Sequence, residues 1–243
     1  MLSVNAEDTH LEISITRIVD ILAFTTVLLF FLHVVSIVIS TKIGFGFIPW
    51  DKQACRLFNM DLESNIPTWL QSAILFSSSL FAFCAGLIYS KSENQLKELW
   101  FVISAVLVFC SLDEISMIHN RIRLPRGMEI SFGTFTLPPH FFWIIPAAVG
   151  VVIFFCLIHK QLMMIDKPTR LRLVFAAIVY FTGAIGVETI SAFIWESSGR
   201  GKAFSYLLLV GVEETLEFTG AILCLRAILL FLSKRKSGLY VTD

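Results

Sequence analysis

The chain has 243 residues, 56% of them hydrophobic and only 16% charged, with a mean hydropathy of +0.78. Ordinary soluble domains carry roughly a quarter charged residues, so this balance argues against a water-soluble globule and for lipid as the solvent. Nineteen basic and nineteen acidic residues cancel, which leaves no global field to recruit nucleic acid or a strongly anionic partner. The five cysteines are scattered and form no CxxC pair, so neither a disulfide framework nor a thiolate metal site is expected.

A membrane-spanning helix needs about 20 mostly apolar residues. Six segments qualify in chain order, and they predict an all-α, polytopic transmembrane bundle forming one domain over the whole chain. The first runs from Ile18 to Ser40 and carries His33. It is longer than a signal-peptide core and lacks a small-residue cleavage site, so a retained helix is expected. The connection from Thr41 to Pro67 holds Asp61 and Glu63, placed to roof whatever lies below. The second span, Thr68 to Tyr89, contains Ser77, Ser78 and Ser79, which suit close helix packing better than nucleophilic chemistry.

The third span, Leu99 to His119, introduces the unusual feature. Its charge-free run from Leu99 to Leu112 is too short to cross a bilayer, so the turn carrying Asp113 and Glu114 should be drawn into the membrane. Asp113, Ser116 and Asn120 fall on one helical stripe, while Glu114 points about 100° away and is expected to serve a different partner. Arg121, Arg123 and Arg126 follow in the connection from Asn120 to His140, and the fourth span covers Phe141 to Ile158. In the fifth, Leu173 to Trp195, Glu188 is flanked by apolar residues on both sides. In the sixth, Phe204 to Leu232, neither flank of Glu213, Glu214 and Glu217 is long enough to span alone. Residues three or four apart share a face, which joins both Glu213 and Glu214 to Glu217.

More Lys and Arg lie on the amino-terminal side of the membrane than on the other, which predicts cytoplasmic termini. All the intramembrane acids, with His33, then fall in the outer half. Trp50, Trp69, Trp143 and Trp195 are expected at the outer interface and Trp100 at the inner one. Each acid at mid-membrane costs about 2.5 to 3.5 kcal/mol on insertion scales. Six of them, unpaired, would together cost on the order of 10 kcal/mol, as much as a whole domain's stability. Protons, a cation or the outer arginines must offset that charge.

Carboxylate and imidazole donors suit a divalent metal ion. The expected ligands are His33, Asp113, Glu114, His119, Glu188, Glu213, Glu214 and Glu217, with Asp61, Glu63, Arg121 and Arg123 contacting a lipid-like substrate from the outer leaflet. HExxH and GxSxG are absent, which disfavours an ordinary zincin or a seryl hydrolase. The set Asp113, Ser116, His33, His119 and His140 resembles the zinc-dependent alkaline ceramidase type of membrane hydrolase, although no HxxxH pair is present. That resemblance implies metal-activated water acting on a membrane lipid. The segments Asp61 to Trp69, Leu112 to His119 and Val212-Glu213-Glu214 resemble stretches of uncharacterised bacterial polytopic membrane proteins, which implies a bacterial inner membrane and no particular activity. Two other classes fit the same residues: a proton- or cation-coupled transporter or channel, and a structural subunit of a homo-oligomer or larger membrane complex.

Overall fold

A computed structural model describes residues 14–46, 50–89, 94–125, 128, 130–133, 135–199 and 203–235. Arg126, with Lys91, Arg200, Lys202 and Lys236 of the orientation count, lies outside them. The chain is an integral membrane protein whose six long apolar helices occupy Ile15–Ile43, Ile66–Leu87, Gln95–Ser116, Pro139–Met164, Lys167–Ser197 and Phe204–Lys234. Every span read from the sequence is present, shifted at its ends by a few residues.

Helix α1 (Ile15–Val38) continues through a π-helical turn to Ile43. The following connection is not extended but contains the short amphipathic helix α2 (Asp51–Phe58). Asn65 then opens α3 (Ile66–Leu87), its side-chain oxygen accepting from the Thr68 amide at 3.0 Å, with Pro67 in the first turn where no donor is wanted. Helix α4 (Asn94–Ser116) packs tightly along α3 through two serine pairs. Ser72 and Ser111 each donate to the other's carbonyl at 3.0 Å, and Ser104 donates to the Ser79 carbonyl at 3.0 Å. Ser78 bonds back to Ile74. These hydroxyls are therefore used for packing, since small polar residues let backbones approach and bridge them in lipid.

Helix α4 stops earlier than expected. Met117 adopts a left-handed conformation with φ of 52°, its amide donating to the Asp113 carbonyl at 2.7 Å, and a four-residue helix α5 (Ile118–Arg121) turns away. Asn120 thus does not continue the stripe of Asp113 and Ser116. An antiparallel hairpin of β1 (Ile130–Phe132) and β2 (Phe135–Leu137), which the sequence did not suggest, leads to a 3-10 turn and α6 (Ile144–Met164). Leu137 and Phe141 pack with Ile144 and Ala192 in a small separate core.

The fifth span is a composite of α7 (Lys167–Phe181), a π-helical segment from Thr182 to Val187, and α8 (Glu188–Ser197). Helix α9 (Phe204–Lys234) lies at the centre, against α1, α3 and α7. Two glycines permit the closest approach. A Cβ at Gly220 would fall 2.6 Å from the Tyr180 amide nitrogen, and one at Gly183 would fall 2.7 Å from the Glu213 carbonyl oxygen. Trp100, expected at the inner interface, is fully buried within the bundle, its ring centroid 4.6 Å from that of Phe231. With Tyr89, also stacked on Phe231, it fills the end of the bundle remote from the acids.

Candidate functional site: an acid-lined chamber

Because α4 ends, α8 begins and α9 begins at the same end of the bundle, their acidic turns meet. Between them and α6 lies a cavity of about 440 Å³. Its wall carries seven carboxylates: Glu63 from the loop before α3, Asp113 and Glu114 from α4, Glu188 from α8, and Glu213, Glu214 and Glu217 from α9. Asp113 and Glu114 both face it, contrary to the expectation that they would serve separate partners. The remaining wall is apolar and aromatic, including Phe109, Trp143, Phe154, Tyr180 and Phe181. Among the described residues, no lysine or arginine lines it; His119 is the one basic side chain.

The break at Met117 builds the His119 corner. Asp113 accepts from the His119 backbone amide through Oδ1 and from Nδ1 of its ring through Oδ2, both at 2.8 Å, and the Trp143 ring lies 4.9 Å away between centroids. Burial works against a charged His119 ring. The bond and charge of Asp113, with Glu63 and Glu188 adding to them, override that and hold its pKa above the ordinary 6.5. Glu63, which accepts from the Thr68 hydroxyl at 3.3 Å, is pushed up by burial, the His119 charge and the Thr68 bond opposing.

The His119–Asp113 pair makes stability depend on pH. A histidine whose pKa is raised on folding contributes stability that is complete below its unfolded value, about 6.5, and is lost as pH climbs through the folded value. Thermal stability should therefore decline across that window. A charge-assisted hydrogen bond is worth about 1.5 to 3 kcal/mol, so Asp113→Asn should lower the melting temperature below pH 6.5 by several degrees and flatten the decline. Parallel Tm-against-pH curves for the two proteins would remove His119 and Asp113 as the responsible pair.

Deeper in the wall, Gln71 is fully buried on α3 and its Nε2 donates to Glu217 Oε2 at 3.0 Å and to Glu114 Oε2 at 3.3 Å. Tyr180 also hydrogen-bonds Glu217. Glu188 and Glu213 approach within hydrogen-bonding reach of each other, a contact that two carboxyls make only with a proton or cation between them. Glu213 Oε2 nevertheless has no protein partner, nor does Gln71 Oε1. Buried polar atoms are rarely left so. Gln71 and Tyr180 carry no charge, so no argument from charged residues in spans singled them out; a glutamine inside the second span was the available signal.

Several expected site residues are elsewhere. His33 is a structural bolt, not a ligand: its Nε2 donates to the Leu207 carbonyl at 2.9 Å and its Nδ1 accepts from the Met60 amide at 3.0 Å. Both ring nitrogens are therefore spent on backbone. Asp61 is not in the chamber wall, although Glu63 beside it is. Arg121 and Arg123 are exposed and outside the wall, Arg123 donating to the Asn120 carbonyl, so they are not substrate contacts of this chamber. His140 packs edge-on against Trp195. Of the five residues behind the ceramidase resemblance, only Asp113 and His119 come together in the chamber. Among the described residues, no three His, Cys, Asp or Glu side chains converge as a ready coordination sphere for a metal.

A comparison with curated proteins and one with solved structures each find no match. A protein family does match, over residues 21–232, from within the first span to within the sixth. The chain belongs to that family, DUF8692, a domain of unknown function.

Proposed function

We propose that this membrane protein captures an organic ammonium compound in the acid-lined chamber. One observation carries the reading: seven carboxylates and several aromatic rings surround a space of about 440 Å³, and the one basic side chain lining it among the described residues, His119, is already paired with one of the acids. That volume suits a small organic group. Dispersed carboxylates with aromatic faces are the complement of an ammonium, which gains both charge-assisted hydrogen bonds and cation–π attraction. The unpartnered Glu213 Oε2 and the Glu188–Glu213 contact mark where the ammonium hydrogens would donate.

A compact divalent ion, the other cation that would offset these acids, wants several donors drawn together at 2 to 2.6 Å. The spread of the carboxylates around a wide chamber favours the larger cation. Passage across the membrane is favoured less, because the acids gather at one end and Trp100, Tyr89 and Phe231 fill the other. The excess of basic residues on the opposite side supports a chamber in the outer leaflet with both termini inside, and the likeness of the acidic segments to bacterial polytopic proteins supports a bacterial inner membrane as its location.

The test is calorimetric titration of the full chain in phosphatidylcholine nanodiscs with n-butylammonium, beside n-butanol and Mn²⁺. Saturable butylammonium binding with no butanol binding is the expected result. Stoichiometric Mn²⁺ binding that butylammonium cannot displace would overturn it in favour of a metal centre, and the absence of any butylammonium binding would overturn it outright.

A further inference from the structure

The chamber does not end at the acids. A second cavity of about 110 Å³ continues it along the bundle axis, and the two share Val106, Cys110, Phe154, Tyr180 and Phe181 in their walls. On four helices the lining residues of the second follow those of the first one to about three turns further in. Helix α4 goes from Asp113 to Leu107 and Ile103, and α6 from Gly150 to Ile158 and Leu162. Helix α7 and its π segment go from Ala184 back to Ala177 and Leu173, and α9 goes from Glu217 to Ala221 and Cys224. The wall of this slot is aliphatic and aromatic nearly throughout. It holds several times the space of about 10 to 15 Å³ that one water needs, yet offers water almost no hydrogen-bond partners, and such cavities stay dry and accept hydrocarbon.

The access route is visible in the packing of α6. This helix buries only Ile144, Ile158 and Leu162, presents Val149, Val152 and Leu157 to the outside, and closes both cavities on the side away from α9. A Cβ at Gly150, which lines the chamber, would meet nothing within 4 Å. A lipid-borne molecule passing beside α6 would need to break few packed contacts.

Resting on the reading of the chamber as an ammonium site, we propose that its ligand is a long-chain amine drawn from the surrounding bilayer, with the ammonium among the carboxylates and the end of the hydrocarbon tail in the slot beneath them. Charge selects the head and the dry slot selects the tail. The slot reaches roughly 12 Å along α6 from Phe154 to Leu162, at a rise of 1.5 Å per residue; since an apolar cavity of about 150 Å³ admits benzene, its 110 Å³ takes the last few carbons of the tail, and the carbons nearer the ammonium lie in the chamber.

Photolabelling of the full chain in nanodiscs tests this, using dodecylammonium with a diazirine at the far end of its chain. On irradiation the diazirine loses N₂ and the resulting carbene inserts into whichever C–H bond is adjacent. Labelling of Ile158, Leu162 or Leu173, reduced at least tenfold by excess butylammonium, is the expected result. Ala177→Phe, which fills the slot, should shift the label to lipid-facing Val152 and Leu157. If the wild type is labelled only at those outer positions while butylammonium still binds, the slot is overturned and the chamber reading stands. If butylammonium does not bind at all, the chamber reading fails first and this proposal with it.

Discussion

Glu213→Gln is expected to weaken butylammonium binding by about ten- to a hundredfold and, in the absence of ligand, to raise the melting temperature. The two effects share one cause. Glu213 is buried among Glu188, Glu214 and Glu217, and one of its oxygens has no protein partner. An ammonium that donates to that oxygen makes a charge-assisted hydrogen bond worth about 1.5 to 3 kcal/mol, and each 1.4 kcal/mol is a factor of ten in Kd. Without ligand the same carboxyl is buried among like groups within a membrane-spanning helix, where an acid is costly. A neutral amide of equal shape removes that repulsion and can donate to Glu188. Sites built for binding commonly carry instability of this kind. A gain of about 1 to 2 kcal/mol would appear as a rise of several degrees at this chain length. Calorimetric titration and a thermal unfolding curve on one preparation check both halves. A variant that loses binding and also melts lower would mean that Glu213 is a structural residue and would count against the chamber as a designed cation site.

The six spans were legible because lipid imposes a single requirement, length of apolar run, that can be counted along the chain. The acids at 113, 114, 188, 213, 214 and 217 were legible for the same reason, since the runs beside them are too short to cross without them. Depth, however, is all that such counting supplies. His33 has the depth of the acidic cluster but points at the Leu207 carbonyl and the Met60 amide, because Gly211 lets its ring lie against α9 where a Cβ would come within 2.6 Å. The reversal at Met117 carries no glycine or proline; the Asp113 side chain, holding the His119 amide and ring, fixes it through contacts that no local pattern encodes. Both Asp113 and Glu114 reach the same space because the chamber is wide, a property of how α6 stands away from α4. The slot was illegible for a related reason, since four helices each contribute ordinary apolar residues to it and none of them is unusual alone.

Gly183 and Gly186 lie in the same π-helical turn of the fifth span and are expected to respond oppositely to substitution by alanine. A Cβ at Gly183 would fall 2.7 Å from the Glu213 carbonyl oxygen and 3.0 Å from Glu217 Cγ, whereas one at Gly186 would meet nothing closer than Thr182 Cγ2 at 3.8 Å. Backbone cannot yield as a flexible side chain can, so Gly183→Ala must push α9 away from the fifth span. Overpacking of this kind costs typically 1 to 3 kcal/mol. The displacement falls on the turn that carries Glu213 and Glu217, and a shift of 1 Å there would part Glu213 from Glu188 and Glu217 from Tyr180. Gly183→Ala should therefore lower the melting temperature by several degrees and weaken butylammonium binding together. Gly186→Ala should leave both within error or stabilise slightly, since alanine favours helical backbone over glycine by up to about 1 kcal/mol. Gly220→Ala separates the two contributions. It meets the Tyr180 backbone at 2.6 Å deeper along the same helix pair, beside the slot and away from the carboxylates. It should destabilise at least as much as Gly183→Ala while affecting butylammonium less. If instead all three variants bind butylammonium like the wild type, the close approach of α9 to the fifth span serves packing alone and the carboxylate spacing it sets is not what holds the ligand.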